Sequence, residues 1–295
     1  MANPLPAALR RLYPFEPRTF TTPGGARMSY LDEGPRTGPV VVMLHGNPTW
    51  SFFYRDLVRE VGGALRCIVP DHVGMGLSEK PQDYPYTLEQ RIRDVEALLA
   101  HLGATRIRLV VHDWGGAIGF GFATRRPEQI ERITILNTAA WLSKRIPRRI
   151  ALCRAGVAGK VLVRGFNGFA GPATWMTTHR RALSADEKRG YLHPYRSWAD
   201  RVAVHQFVAD IPLEAGHRSR ATLAAVENAL PSLAAVPKQI VWGGRDFCFN
   251  DHFLAQWQAV YPEAEVHRHA DVGHYLLDDG GPELRGVVRE FLLRP

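Results

Sequence analysis

Cysteine is scarce in this sequence. The 295 residues include only three cysteines, which are widely spaced and form no C-x-x-C pair. An odd number of scattered cysteines fits neither a disulfide framework nor a zinc site. We therefore expect a cytoplasmic protein that is held together by the large hydrophobic core a chain of this length can bury.

Long apolar runs are also missing. No stretch approaches the roughly 18–20 apolar residues that a membrane-spanning helix needs. Residues 1–20 contain four prolines and no uninterrupted apolar segment of a secretory signal. No G-x-G-x-x-G motif opens a helix after a strand, so a dinucleotide site is not supported.

Acidic residues are absent from residues 141–185, although the whole chain carries a formal net charge of +8. Because the excess positive charge is concentrated in this one segment, we do not predict a nucleic-acid partner. Within 144–164 apolar residues alternate with the cations, so this segment could face a membrane, an acidic partner or another subunit. The alternative is a solvated, arginine-rich surface. The cations are Lys144, Arg145, Arg148, Arg149, Arg154, Lys160 and Arg164.

Short β-branched runs alternate with segments of helical periodicity, which is typical of a mainly parallel sheet covered by helices on both faces. Two weak strands are expected before residue 35. The other predicted strands are 39–45, 66–71, 106–112, 132–137, 238–243 and 264–269, and the predicted helices are 51–61, 87–102, 115–126 and 251–260.

The alternation fails between about residues 140 and 225. We therefore predict a core in two parts, 1–139 and 226–295, with a helical cap at 140–225 over the carboxyl ends of the strands, where open α/β sheets bind ligands. Several aromatic side chains of the cap are candidates for the walls of an apolar pocket. They are Trp141, Phe166, Phe169, Trp175, Tyr191, Tyr195, Trp198 and Phe207.

Asp113 is the candidate nucleophile. It lies in Val111–Gly116 (VHDWGG), where a predicted strand breaks into a helix rich in small residues, the position of the nucleophile in an α/β-hydrolase. A carboxylate there favours displacement at a carbon that bears a leaving group, which forms an ester on the enzyme.

His274 and Asp246 follow the last two predicted strands, so the order Asp113, Asp246, His274 matches nucleophile, acid and histidine in that fold. Asp271 is a competing acid on the loop of His274. Asn137, after another strand, could orient a water or the histidine by hydrogen bonding.

Two side chains are candidate donors to a departing anion. Trp114 follows the nucleophile directly, and Asn47 lies in the His45–Trp50 loop (HGNPTW). An indole N–H and an amide NH₂ would stabilise charge that develops only as the leaving group departs. Asn47 could instead serve only to build the turn before Pro48.

These motifs, together with the D-x-x-G-x-G-x-S run of 71–78, resemble those of the haloalkane dehalogenases of the α/β-hydrolase superfamily over nearly the whole chain. The resemblance implies an eight-stranded, mostly parallel sheet with a helical cap, and no metal or organic cofactor. It implies that Asp113 displaces halide, that Asn47 and Trp114 hold the halide, and that His274 with Asp246 activates the hydrolytic water. It also implies a homo-oligomer, since the third subfamily, which this chain resembles, forms large oligomers.

The same motifs, with the RGFN stretch at 164–167, also resemble the β-lactone decarboxylases of bacterial long-chain olefin biosynthesis. We rank haloalkane dehalogenation first and decarboxylation of a lipid-derived β-lactone second. An epoxide hydrolase, which would use Tyr191 and Tyr195 as donors, ranks lower. So does a non-catalytic binding module, which would not need an intact triad.

Overall fold

The core of the computed structural model, which describes residues 5–295, is an eight-stranded sheet in the order β1-β2-β4-β3-β5-β6-β7-β8. β1 and β2 are antiparallel to their neighbours, and β3 to β8 run parallel. The strands are β1 (Arg18–Thr21), β2 (Arg27–Glu33), β3 (Val40–Leu44), β4 (Arg66–Pro70), β5 (Ile107–Asp113), β6 (Ile130–Thr138), β7 (Lys238–Gly243) and β8 (Glu265–His269).

Helices cover both faces of this sheet. The six strands and four helices with predicted bounds are all present. Their ends lie within two residues of prediction, except that the predicted helix 51–61 begins as a 3₁₀ turn over Ser51–Tyr54 and becomes α-helical only at Arg55. No helix among residues 5–295 is long and apolar enough to cross a bilayer. The helices are α1 (Ala7–Leu12), α2 (Arg55–Val61), α3 (Leu88–His101), α4 (Trp114–Arg125), α5 (Arg148–Arg154), α6 (Gly156–Lys160), α7 (Ala170–Met176), α8 (Ala185–Leu192), α9 (Val202–Ala209), α10 (Arg220–Ala229), α11 (Asp251–Val260), α12 (Leu276–Asp279) and α13 (Gly281–Leu293).

The central strands β3 and β5 are buried along their whole length. Their successive side chains alternate between two hydrophobic clusters, one on each face of the sheet. Val42 belongs to one cluster and Met43 to the other. Burial on both faces explains why these strands are continuous apolar runs in the sequence rather than alternating ones.

The chain between β6 and β7 contains helices and no strand. Helix α10 contacts α3 and α4, which belong to the sheet-covering layer. A boundary between residues 225 and 226 would divide α10, so we place the end of the inserted segment before Arg220.

Helix α13 is an element that the sequence analysis did not assign. Leu284, Val288 and Leu292 recur at a spacing of four residues and are buried against the core. Two strand arginines hold the last turn of the helix: Arg132 donates to the Phe291 carbonyl at 2.7 Å, and Arg108 donates to the Leu292 carbonyl.

Candidate active site

Asp113 lies on a sharp turn between β5 and α4. Its φ of 51° and ψ of −127° place an L-residue in a left-handed conformation, which is unfavourable and requires support from its surroundings. Close backbone packing provides this support. A Cβ atom at Gly46 would overlap the Asp113 side chain, and one at Gly116 would overlap the Thr138 hydroxyl. The turn therefore presents the carboxylate at the carboxyl edge of the sheet.

The structure brings the three predicted triad residues together. His274 Nε2 lies 3.7 Å from Asp113 Oδ2, and His274 Nδ1 donates to Asp246 Oδ2 at 2.6 Å. Asp246 Oδ1 accepts the backbone N–H groups of Cys248 at 2.7 Å and Phe249 at 3.0 Å. This arrangement holds the ring with Nε2 facing the carboxylate of Asp113, the candidate nucleophile.

Asp271, the competing acid, lies outside this group. Its side chain is 60% exposed and forms a salt bridge with Arg180 at 2.7 Å. Of the two candidate acids, only Asp246 therefore contacts the imidazole of His274.

Burial and neighbouring charges both shift the pKa values of Asp113 and His274. Burial raises the pKa of Asp113 above its ordinary value, although His274 and the backbone N–H groups of Asn47 and Trp114 favour the carboxylate form. Burial acts to lower the pKa of His274, but the carboxylates of Asp246 and Asp113 outweigh it and raise that pKa. Asp113 therefore needs a higher pH than an ordinary aspartate to ionise.

The two candidate anion donors also lie beside the nucleophile. The backbone N–H of Asn47 donates to Asp113 Oδ1 at 2.7 Å. The Asn47 amide donates one hydrogen to the Val204 carbonyl at 3.0 Å, so its second hydrogen is available to a ligand. Asn47 and Trp114 both line the cavity next to Asp113. Because Oδ1 is held by a backbone N–H, Oδ2 is the oxygen available for attack.

Two apolar chambers meet at Asp113. The larger has a volume of about 480 Å³ and lies among α5, α7 and the loop after β7. The smaller, of about 130 Å³, lies towards α4 and α10. Three of the aromatic side chains predicted for the cap line these chambers. Phe169 borders both chambers, Trp175 borders the larger one, and Trp141 borders the smaller one. The residues common to both linings are Asn47, Asp113, Ile150, Phe169 and Cys248.

The two cap tyrosines that an epoxide hydrolase would need are engaged elsewhere. Tyr191 donates to the Asp278 carboxylate, and Tyr195 donates to the Thr49 carbonyl at 3.3 Å. Neither tyrosine lines a chamber. The structure therefore gives no support to the epoxide hydrolase interpretation.

Asn137 lies at the end of β6, as the sequence predicted, but its side-chain hydrogen bonds do not go to His274. It accepts the Gly243 N–H at 2.7 Å and donates to the carbonyls of Gly243 and Phe249 at 3.0 and 3.2 Å. Both amide hydrogens are thereby used away from His274. Asn137 ties the end of β6 to the loop that carries Asp246.

Three buried histidines support the site, and the sequence analysis did not identify them. His112 donates to the His274 carbonyl at 2.9 Å and stacks on Phe53. His45 accepts the His72 backbone N–H at 3.1 Å, and His72 donates from its ring to the His45 carbonyl at 3.0 Å. For His112 and His45 the available signal was their closeness in sequence to Asp113 and Asn47, and for His72 it was its place in the run of 71–78.

The comparison with protein families agrees with this architecture. The model of the alpha/beta hydrolase fold family matches residues 39–281. The chain is an α/β-hydrolase. An Asp nucleophile position with a paired histidine and acid is consistent with an enzyme of this superfamily.

Individual relatives of this α/β-hydrolase differ in activity. A cis-3-alkyl-4-alkyloxetan-2-one decarboxylase from Shewanella oneidensis is 45% identical over 290 residues, which cover 96% of this chain and 90% of that protein. Haloalkane dehalogenase 2 from Mycobacterium tuberculosis is 29% identical over 285 residues, 95% of this chain and 96% of that protein. The crystal structure of haloalkane dehalogenase DbeA from Bradyrhizobium elkani has a TM-score of 0.85 at 25% identity, covering 94% of this chain and 97% of that one.

Proposed function

We propose that this α/β-hydrolase decarboxylates cis-3,4-dialkyl β-lactones to alkenes. This was the second-ranked interpretation of the sequence, and the identities favour it over dehalogenation. The oxetanone decarboxylase is 45% identical to this chain, whereas the dehalogenase is 29% identical.

The branched cavity is the observation that carries the proposal. A 3,4-dialkyl oxetanone has two apolar chains on adjacent carbons, and two apolar chambers meet at Asp113. With the four-membered ring at Asp113, each chain has a chamber of its own. Burial of both chains would supply binding free energy in proportion to their apolar area. A small haloalkane needs only one chamber.

The first step is the opening of the lactone ring. Asp113 Oδ2 attacks C4 from the face opposite the ring oxygen, and the C4–O bond breaks. An ester forms between Asp113 and C4, and the ring carbonyl becomes a free carboxylate on C3. The amide of Asn47 and the indole N–H of Trp114 stabilise the negative charge that develops on this group.

The second step releases carbon dioxide. The bond between C3 and the carboxylate breaks, and its electron pair forms the C3=C4 double bond. The bond between C4 and Asp113 breaks at the same time and returns its pair to the aspartate. Inversion at C4 followed by anti elimination converts a cis lactone into a cis alkene. The cycle consumes no water and regenerates the Asp113 carboxylate.

Dehalogenation remains a second candidate because the same donors suit a halide. Asn47 and Trp114 both line the smaller chamber at Asp113, and both respond to negative charge whatever atom carries it. In that reaction a water activated by His274 would hydrolyse the ester on Asp113.

The deciding experiment supplies both substrate classes to the purified protein. A long-chain cis-3,4-dialkyl oxetan-2-one should give alkene and carbon dioxide in equal amounts, measured by gas chromatography. Asp113→Asn is the matched inactive control, because it keeps the side-chain shape and loses the nucleophile. Release of bromide from 1-bromobutane by the wild type, with no alkene from the lactone, would reject the decarboxylase proposal and establish the dehalogenase.

A further inference from the structure

One surface of the inserted segment exposes large apolar side chains. Val157 is 79% exposed and Phe166 is 78% exposed, although burial of such side chains is favourable. A contiguous patch of exposed apolar side chains often marks a surface that contacts a protein or a membrane, whereas single exposed apolar residues are common and need no explanation. The apolar members of this surface are Leu152, Val157, Val161, Phe166 and Trp175.

Exposed cations occur in the same segment as these apolar side chains. The exposed ones are Lys144, Arg145, Arg148, Arg149 and Lys160, and no salt bridge within residues 5–295 includes any of them. Two other cations of the segment are engaged: Arg154 pairs with Glu214, and the buried Arg164 donates to Gln82 at 2.6 Å. We call the five exposed cations and the five apolar residues together the cap face.

The larger chamber opens on the cap face. Arg149, Leu152 and Trp175 are exposed to solvent and also line that chamber. The guanidinium group of Arg149 lies 5.1 Å from the ring of Phe247, which borders the same chamber. A molecule that covered the cap face would therefore cover the mouth of the cavity.

We propose that the cap face binds an anionic phospholipid bilayer, and that apolar substrate passes from the bilayer into the larger chamber. Five unpaired cations match a negatively charged headgroup layer, and the apolar side chains between them suit the headgroup–acyl boundary. A water-filled mouth would expose an apolar substrate to solvent, whereas a mouth against lipid does not. Membrane binding does not depend on the proposed function. Only the delivery of a β-lactone from the bilayer rests on the proposed function.

Flotation with lipid vesicles tests the binding. The wild-type protein should float with vesicles of phosphatidylcholine mixed with phosphatidylglycerol, should bind far less to phosphatidylcholine alone, and should dissociate as salt is added. The triple variant Lys144→Gln, Arg148→Gln, Lys160→Gln changes exposed cations that line neither chamber. It should lose about 100-fold in partition coefficient, because each basic residue near an anionic surface contributes about a fivefold effect.

Matched controls separate this surface from general positive charge. The variant Arg18→Gln, Arg126→Gln, Arg289→Gln removes the same charge from exposed positions outside the inserted segment and should bind like the wild type. Val157→Ser with Phe166→Ser should weaken binding without changing the net charge. Circular dichroism establishes that each variant is folded.

Three outcomes would overturn the proposal. The wild type could remain unbound on both vesicle types, or the two triple variants could lose binding equally. In the third outcome, the cap-face triple variant binds vesicles like the wild type but differs from it in oligomeric state, measured by analytical ultracentrifugation. That result would show that the cap face contacts a second copy of the chain. None of these outcomes affects alkene formation from a lactone in detergent, so failure of this proposal is distinguishable from failure of the proposed function.

Discussion

Asp113 combines three unfavourable features. Its backbone is in a left-handed conformation, its side chain is buried, and this burial raises the pKa of its carboxyl group. Only a few contacts offset these costs: the backbone N–H groups of Asn47 and Trp114, and the charge of His274. A nucleophile that is poorly solvated and held by fixed donors reacts without first losing a water shell.

The raised pKa of Asp113 predicts an acid limit to activity. Attack needs the carboxylate, so kcat/KM should fall as the pH decreases through the pKa of Asp113. The fall should begin above the pH expected for an ordinary aspartate, whose pKa is about 3.9. A kcat/KM profile with an inflection at or below that value, on protein shown to be folded, would contradict this assignment.

His274→Ala should separate elimination from hydrolysis. A haloalkane ester on Asp113 carries no carboxylate to lose and leaves only by hydrolysis, so the variant should accumulate it, with turnover reduced by about 10²–10⁴-fold. Mass spectrometry of the intact protein would detect the ester. The lactone-derived ester can leave without water, so alkene formation should fall by only about tenfold. A loss of alkene as complete as in Asp113→Asn would show that His274 takes part in elimination.

At the scale of elements, the site depends on loops that follow parallel strands and are tied to one another. Asn137 joins the end of β6 to the loop after β7, and His112 in β5 joins the loop after β8 through the His274 carbonyl. The acid and the histidine are therefore positioned by contacts from other strands, β6 and β5, in addition to contacts within the loop of Asp246.

Asn137→Ala should act on catalysis through Asp246. Loss of three buried hydrogen bonds would lower the free energy of unfolding by about 1–3 kcal/mol and let the Asp246 loop move. We expect kcat to fall by about tenfold with little change in KM, together with an altered pH profile. Asn137→Gln, which keeps an amide acceptor and amide donors, should rescue part of kcat. A variant that loses stability with an unchanged kcat and pH profile would show a purely structural role.

The core elements were predictable because their signals are local. β3 and β5 are continuous apolar runs, and the chain order of Asp113, Asp246 and His274 is a property of the fold family. Helix α13 was missed although Leu284, Val288 and Leu292 recur at a helical spacing. The hydrogen bonds of Asn137 could not be predicted, because its partners Gly243 and Phe249 lie more than a hundred residues away. Such contacts depend on tertiary packing and have no pattern in the local sequence.

At the scale of the whole molecule, the sheet and the inserted helices enclose a branched cavity. The smaller chamber is walled partly by α10, which packs on the core, and the larger by α5 and α7 of the inserted segment. Changes in the two walls should therefore have separable effects on substrate choice.

A matched pair of substitutions tests this separation. Ile211→Trp narrows the smaller chamber and Leu162→Trp the larger, and both residues are half-buried in the wild type. The assay uses lactones in which the chain on C3 and the chain on C4 are varied independently. Each variant should lose about tenfold or more in kcat/KM when the chain on one of these carbons is long, and be unaffected by the chain on the other. The sensitive carbon should be different in the two variants. Equal sensitivity of both variants to total chain length would indicate a single tunnel. Thermal unfolding provides the control for folding.

The unequal chambers, of about 480 and 130 Å³, also bear on the hydrocarbon that the proposed decarboxylation would release. The carbons that become doubly bonded would lie where the chambers meet, so we expect a product with its unsaturation away from the midpoint of the chain. Ozonolysis of the alkene formed from a mixed pool of lactones would then yield two aldehydes of different length, in place of the single aldehyde that a symmetrical olefin gives.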